Sequence, residues 1–277
     1  MQEYIVSKRL FGTHADIVLK DVDPLLAEGL VEDADCEALR LHRMFNFFDP
    51  ASELSLLNRD RSRTVSPEFL LVLSKALELC RRTEGAYDVS LGKQFLQRKR
   101  DEPVTRVGCS YKDIAINGSR VSLTHPDVLI DLGSIAKGFI VDRMAAVLKD
   151  GGAVSGLVDG RGDIAVFGEE LLDIQHPRDP KKSVGRVRVK DEGIATSGDY
   201  NQYHETFDDC HILNRQPVSS VTVVAPTLMD ADAFATVLFV VDETLRERIL
   251  AEHPEVKALI ITPDLLLKRY NGFEVSA

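Results

Sequence analysis

The 277-residue chain combines a hydrophobic fraction of 44% with a charged fraction of 28%, which is typical of a water-soluble globular protein with a large buried core. Its formal net charge of −10 argues against a general nucleic-acid surface and against an anionic-membrane surface. The four cysteines form no CxxC pair, and we find neither a secretion signal nor a membrane-spanning segment, so we expect a cytoplasmic protein without stable membrane insertion.

The first part of the chain predicts two strands followed by helices. Tyr4 to Leu19 divides into two strand-like halves, because apolar residues alternate on either side of Gly12-Thr13. A helix is predicted over Cys36 to Phe48. A further helix begins at Val65-Ser66-Pro67-Glu68, where serine supplies the cap and proline the first helical position, and it runs to about Arg82.

A loop, a hairpin and a pair of strands are predicted before and after the central stretch of the chain. Lys93 to Arg100 ends in a basic run and is expected to be a loop. Tyr111 to Thr124 is typical of a hairpin with Asn117-Gly118 as its turn. Further along, Leu171 to His176 and Gly185 to Val189 are strand-like and are joined by a Pro-Lys loop.

The central stretch, Ile130 to Gly168, has a layout that suits phosphate. Val128 to Ile130 predicts a strand, Ser134 is a fair N-cap for the next helix, and Gly151-Gly152 ends that helix. Backbone N–H groups at a helix start and the nearby Lys137 both favour anions. The alternative is an ordinary Gly-Ser turn with a solvated lysine, since neither a Walker loop nor GxGxxG is present.

This stretch also resembles a known family. DLGSIAKGFIVDR is similar to the D-[LF]-G-x-[IV]-A-K-G-[YF]-x-x-D signature of the FAD:protein FMN transferase (ApbE) family, and Val158 to Asp163 stands where that family has a strand and a Gly-Gly turn. FFDPASELSLLN, GAYD and GIATSGDY match further family segments in the right order. The resemblance implies an α+β fold, one domain over residues 1–277 with mixed or antiparallel sheets flanked by helices.

The implied activity is transfer of FMN from FAD to a threonine or serine hydroxyl of an acceptor flavoprotein, with release of AMP. FAD, the substrate, is expected between the Ala86-Tyr87 turn and the Thr196-Ser197-Gly198 turn, although either turn alone could be purely structural. Asp142 is expected to orient Lys137 or the helix. The residues expected to bind FAD are Tyr87, Asp88, Gly133, Ser134, Lys137, Asp142, Asp159, Gly162, Thr196, Ser197 and Gly198.

A metal site is expected on a helix that begins near Asp230, after a buried strand at Val221 to Val224. Asp232 and Thr236 stand four residues apart and therefore share one face of this helix, and their hard oxygens suit Mg²⁺. The family pattern ADAxxT implies that both positions bind the metal and that the carbonyl of Ala136 adds a ligand. From the residues alone, Asp232 could instead be an acid that favours the helix dipole.

The catalytic base implied by the resemblance is His211, because a neutral imidazole can take a hydroxyl proton near pH 7. Asp232 is the other catalytic candidate. Asn214-Arg215-Gln216-Pro217 departs from the family's Asp-Pro-Arg-Thr-Gly, and the segment after Gly92 departs as well. Two alternatives therefore stay open: an FAD-binding protein without transferase activity, and an enzyme that hydrolyses FAD to FMN and AMP.

Overall fold

Most strands of the protein join one sheet in which every neighbouring pair is antiparallel. The computed structural model describes residues 3–100, 102–105, 108–200 and 216–276. Within these ranges the strands are β1 (Glu3–Lys8), β2 (Ala15–Lys20), β3 (Ser62–Thr64), β4 (Ile114–Asn117), β5 (Arg120–Leu123), β6 (Ser155–Asp159), β7 (Ile164–Phe167), β8 (Glu169–His176), β9 (Asp179–Lys190), β10 (Gly193–Gly198), β11 (Ser220–Ala225), β12 (Lys257–Ile261) and β13 (Leu267–Tyr270). The large sheet has the order β1-β2-β6-β7-β10-β11-β12-β13, and β3-β5-β4 and β8-β9 form two smaller sheets.

Helices and antiparallel strands follow one another in groups along the chain, which confirms the predicted α+β class. None of the helices in the described ranges combines the length and the hydropathy that a bilayer crossing requires. They are α1 (Pro24–Phe45), α2 (Glu53–Asp60), α3 (Pro67–Arg82), α4 (Gly92–Lys99), α5 (Ala136–Asp150), α6 (Leu228–Val240) and α7 (Glu243–Glu252).

The two faces of the large sheet are covered by different elements. In β11, Val221 and Val223 belong to the core formed with α1, α5 and α6, whereas Val224 packs with residues of the β8–β9 hairpin. Neighbouring residues of a strand point to opposite faces. The helices therefore cover one face and the hairpin covers the other, and the candidate site lies on the helix side.

Local signals in the sequence predicted several elements correctly. Both strands of the Tyr4 to Leu19 segment, the start of α3 and the strands β8 and β9 are confirmed. Strand β9 begins at Asp179, however, so most of the predicted Pro-Lys loop belongs to the strand. Ser66 caps α3 by accepting a hydrogen bond from the backbone N–H of Phe69 at 3.4 Å. The hairpin is confirmed with its two-residue turn at Gly118-Ser119, one position later than predicted.

The helix predicted over Cys36 to Phe48 is confirmed with other bounds, since α1 also ends earlier, at Phe45, and two predicted elements are wrong. Helix α1 begins at Pro24, twelve residues before Cys36, because the Asp23 carboxylate caps its first backbone N–H groups. The segment after Gly92 is the helix α4 and not a loop. Val128 to Ile130 does not form one of the strands given above. The backbone N–H of Leu129 donates to the carbonyl oxygen of Ser90, and that of Ile130 donates to the side chain of Asn58.

A buried arginine stabilises the end of α6. Arg246 of α7 is only 4% exposed, and its guanidinium donates to the carbonyl oxygens of Leu238 at 2.8 Å and Val241 at 2.9 Å. The last carbonyl groups of a helix have no partners within the helix. Arg246 therefore caps α6 from outside and fixes its direction against the sheet.

Candidate active site

The site is built where α5 and α6 cross. Asp232 on α6 is 7% exposed, and its Oδ2 accepts a hydrogen bond of 2.9 Å from the backbone N–H of Gly138 in the first turn of α5. A Cβ atom on Gly138 would lie 2.5 Å from the carbonyl oxygen of Leu228 and 2.9 Å from the Cβ of Asp232. Only glycine therefore allows the two helices to approach so closely.

The charges around this crossing are coupled. Lys137 forms an ion pair with Asp163, which is 5% exposed. Burial alone would lower the pKa of Lys137, but the surrounding carboxylates, Asp163 first among them, raise it above its ordinary value. Burial, and next the negative charge of Asp163, raise the pKa of Asp232 to about 7, although Lys137 opposes the shift. The site thus holds an ammonium group that its neighbours keep charged, near a carboxyl group whose charged form is disfavoured by burial and by Asp163.

The turn between β6 and β7 is stabilised by the side chain of Asp159, the residue at which the turn begins. Asp159 Oδ1 accepts a hydrogen bond of 2.6 Å from the N–H of Gly162, and the N–H of Gly160 donates to the carbonyl oxygen of Asp163 at 2.8 Å. Burial raises the pKa of Asp159 above its ordinary value. The N–H of Gly162, a residue expected to bind FAD, is therefore occupied by Asp159, and this hydrogen bond shapes the turn that presents Asp163 to Lys137.

Thr236 and Ser197 meet on the helix side of the sheet, with 3.2 Å between their hydroxyl oxygens. Thr196, the preceding residue of β10, instead contacts Thr222 of the neighbouring strand at 2.9 Å. Thr196 to Gly198 is thus the end of a strand and not a turn. Because neighbouring strand residues point to opposite faces, Ser197 faces α6 and Thr196 faces away from it.

Tyr87 and Ser134 contact each other through their hydroxyl groups, whose oxygens lie 2.8 Å apart. The predicted role of Ser134 as N-cap is wrong: Ile135 occupies that position, without a side-chain hydrogen bond to the helix. Tyr87 is 5% exposed, and burial raises its pKa well above its ordinary value. Asp88 accepts hydrogen bonds from the N–H groups of Ser90 and Tyr111, so it orders the loop that carries Tyr87.

Asp142 anchors the start of α6 and does not contact Lys137. Its two carboxylate oxygens accept hydrogen bonds from the N–H groups of Leu228 at 2.9 Å and Met229 at 2.8 Å. Burial raises its pKa to about 6. Of the two roles considered for Asp142, the geometry thus favours orienting a helix. That helix is α6, which carries Asp232.

A model of the ApbE family matches residues 11–260. The chain belongs to the ApbE family. It is 30% identical to the FAD:protein FMN transferase of Haemophilus influenzae over 97% of this chain and 87% of that protein, and 31% identical to the Vibrio cholerae enzyme over 80% and 75%. Its fold is similar to the flavin transferase ApbE of V. cholerae, with a TM-score of 0.80, 26% identity and coverage of 100% and 97%. The ApbE protein of Thermotoga maritima gives a TM-score of 0.82, with 25% identity and 97% of each chain covered.

Two carboxylates near the ApbE signature were not among the predicted site residues. Asp163 pairs with Lys137, and Asp131 accepts a hydrogen bond of 3.0 Å from the N–H of Gly133. Burial raises the pKa of Asp131. Their position within the signature segments was a signal for both, but the sequence alone does not indicate which acids pair with a lysine.

A buried ion pair was also missed. Arg178, in the connection between β8 and β9, donates to both carboxylate oxygens of Asp199, at 2.6 and 3.0 Å, and to the hydroxyl of Ser219 at 2.7 Å. Asp199 is fully buried. Asp199 and Ser219 lie in β-sheet connections before and after residues 201–215, and the predicted base His211 lies within that range, outside the described residues.

Proposed function

We propose that this protein transfers FMN from FAD to a threonine or serine hydroxyl of an acceptor flavoprotein and releases AMP. The observation that carries the proposal is the contact of Asp232 with Gly138, beside the Lys137–Asp163 ion pair. It brings together two segments that match the ApbE family and places a carboxylate next to an ammonium group. The names of the relatives as FAD:protein FMN transferases support the same reaction.

The residues at the crossing fit Mg²⁺. Asp232 offers a buried carboxylate oxygen, and Thr236 offers a hydroxyl oxygen one helical turn later on the same face of α6. No group of three His, Cys, Asp or Glu side chains in the described part of the chain could hold a metal. Mg²⁺ commonly takes one or two carboxylates and completes its shell with water and phosphate oxygens. Asp232, Thr236 and the Ala136 carbonyl would hold it, and it would neutralise charge on the pyrophosphate.

The chain's own residues then have distinct roles. Lys137, kept charged by Asp163, would bind a phosphate oxygen of FAD. His211 would remove the proton of the acceptor hydroxyl, whose oxygen attacks the phosphorus of the FMN half. The bond from that phosphorus to the bridging oxygen breaks, and AMP leaves with that oxygen. FMN stays on the acceptor as a phosphoester.

The test is incubation with FAD, MgCl₂ and candidate acceptor proteins, followed by intact-mass measurement of the acceptor. We expect a gain of one FMN and an equal amount of AMP. Asp232→Ala should weaken Mg²⁺-dependent transfer far more than it weakens FAD binding. His211→Ala should slow transfer about 10²- to 10⁴-fold. Glu28→Gln, on the exposed surface of α1, is the matched control and should change neither.

Other products would identify another function. Equal rates of FMN and AMP formation without any acceptor would indicate hydrolysis of FAD. Binding of FAD without either product would indicate a flavin-binding protein. Failure to bind FAD at micromolar concentration with Mg²⁺ present would contradict all three.

A further inference from the structure

Arg161 has a backbone conformation that is unusual for its side chain. Its φ is +65°, in the left-handed region that favours glycine, and it stands between Gly160 and Gly162 in the β6–β7 turn. Residues in this region cost conformational energy, and such residues often occur at binding sites. A glycine would adopt the same φ without strain. The side chain of Arg161 is therefore the feature that could offset the strain.

That side chain reaches a second turn. The guanidinium of Arg161 is exposed and donates a hydrogen bond of 3.0 Å to the hydroxyl of Thr13, which lies in the turn between β1 and β2. The Thr13 turn is closed by backbone hydrogen bonds with Leu10 in both directions. Within the described part of the chain, Arg161 forms no ion pair. The hydrogen bond to Thr13 therefore orients the guanidinium group, and none of the described carboxylates forms an ion pair with it.

The surroundings of Arg161 are short of positive charge. Three carboxylates, those of Asp159, Asp163 and Asp232, act on the single ammonium group of Lys137. Asp159 and Asp163 belong to the same five-residue turn as Arg161. An anionic ligand beside Lys137 would meet these carboxylates and needs further cationic groups. A guanidinium is well suited to this task, because its planar donors match phosphate oxygens.

We propose that Arg161 is a phosphate-binding residue, whose guanidinium, aligned by Thr13, donates to a phosphate oxygen of the bound dinucleotide. This inference rests on the proposed function, since it takes FAD as the ligand at Lys137. Arg161 binds and positions the phosphates, and takes no part in proton transfer.

The test compares two flavins, one with phosphates and one without. The dissociation constants of FAD and riboflavin are measured by flavin fluorescence for wild type, Arg161→Gly and Arg161→Lys, with Mg²⁺ present. Arg161→Gly should weaken FAD binding about 10- to 100-fold and leave riboflavin binding unchanged. Arg161→Lys should recover part of the loss. The melting temperature of Arg161→Gly should not fall, since relief of the left-handed strain offsets the greater freedom of its unfolded chain.

Leu265→Gly is the matched control for the backbone change. Leu265 has the same φ of +65° in an exposed loop before β13, so its variant should bind both flavins as wild type does. Equal losses for FAD and riboflavin in Arg161→Gly, or no loss at all, would overturn the assignment. If wild type binds FAD tightly in the same assay, such a result would overturn the role of Arg161 and would leave the proposed function intact. Absence of FAD binding by wild type would overturn the proposed function and this inference together.

Discussion

Replacing Gly138 with alanine should destabilise the protein although alanine favours helices. The new methyl group would stand 2.5 Å from the carbonyl oxygen of Leu228 and 2.8 Å from its carbonyl carbon, and backbone atoms cannot swing aside. Overpacking of this kind costs about 1–3 kcal/mol. Alanine returns about 0.5–1 kcal/mol through its helix propensity. The net loss should be about 1–2 kcal/mol, which lowers the melting temperature by about 2–6 °C in a chain of this size.

The matched control is Gly29→Ala in α1, where a Cβ atom meets nothing within 4 Å. That variant gains only the propensity term and should be more stable than wild type by about 0.5–1 kcal/mol. Urea unfolding of the three proteins measures both differences. At the proposed metal site, calorimetric titration with Mg²⁺ should also show weaker binding by Gly138→Ala, because the shift of α6 moves Asp232 away from α5. A Gly138→Ala protein as stable as Gly29→Ala would refute the close-packing argument.

Three further predictions concern buried groups. Arg246→Ala removes the partner of the Leu238 carbonyl in α6 and of the Val241 carbonyl just after it, and should cost about 2–4 kcal/mol in urea unfolding. A loss below about 0.5 kcal/mol would contradict the capping role. Asp142 has a folded pKa of about 6 against an ordinary value of 3.8, so the folded state binds more protons between these values and its stability falls as pH rises through them. Unfolding titrations from pH 3.5 to 7 should show this decline, and Asp142→Asn should flatten it by up to about 3 kcal/mol. In a Cys210→Ser background, an aromatic disulfide reagent should modify the exposed Cys36 in the native protein but Cys80, buried and with a pKa of about 12, only after unfolding.

The sequence predicted those elements of the fold whose signals are local. The serine and proline at the start of α3 and the alternation in β1 and β2 needed no information from distant residues. The beginning of α1 was missed, although Asp23-Pro24 is a recognisable start, because acidic residues interrupt the apolar pattern that follows. Val128 to Ile130 has the composition of a strand, but its hydrogen-bonding partners lie far away in the chain.

The candidate site was predictable as a set of residues and not as a set of contacts. The family signature located Lys137 and Asp232, which the structure places at one helix crossing. It did not indicate that Asp159 accepts a hydrogen bond within its own turn. Nor did it indicate that the Ser134 hydroxyl contacts Tyr87, so that α5 has no side-chain cap. These pairings depend on which hydroxyl or carboxylate is nearest after folding. Residue type and spacing carry no such information.

The hydrogen bond between Asp232 and Gly138 joins positions 94 residues apart. Closing a loop of that length costs chain entropy. The packing of the strands between the two helices must offset this cost, so the contact becomes stable only when those strands have packed as well. A chain with α5 and α6 already helical but undocked would leave the Asp232 carboxylate in water with an ordinary affinity for protons and metal. If Mg²⁺ binds at the proposed site, its affinity should therefore recover with the slowest long-range packing step of refolding, well after helical circular dichroism has returned.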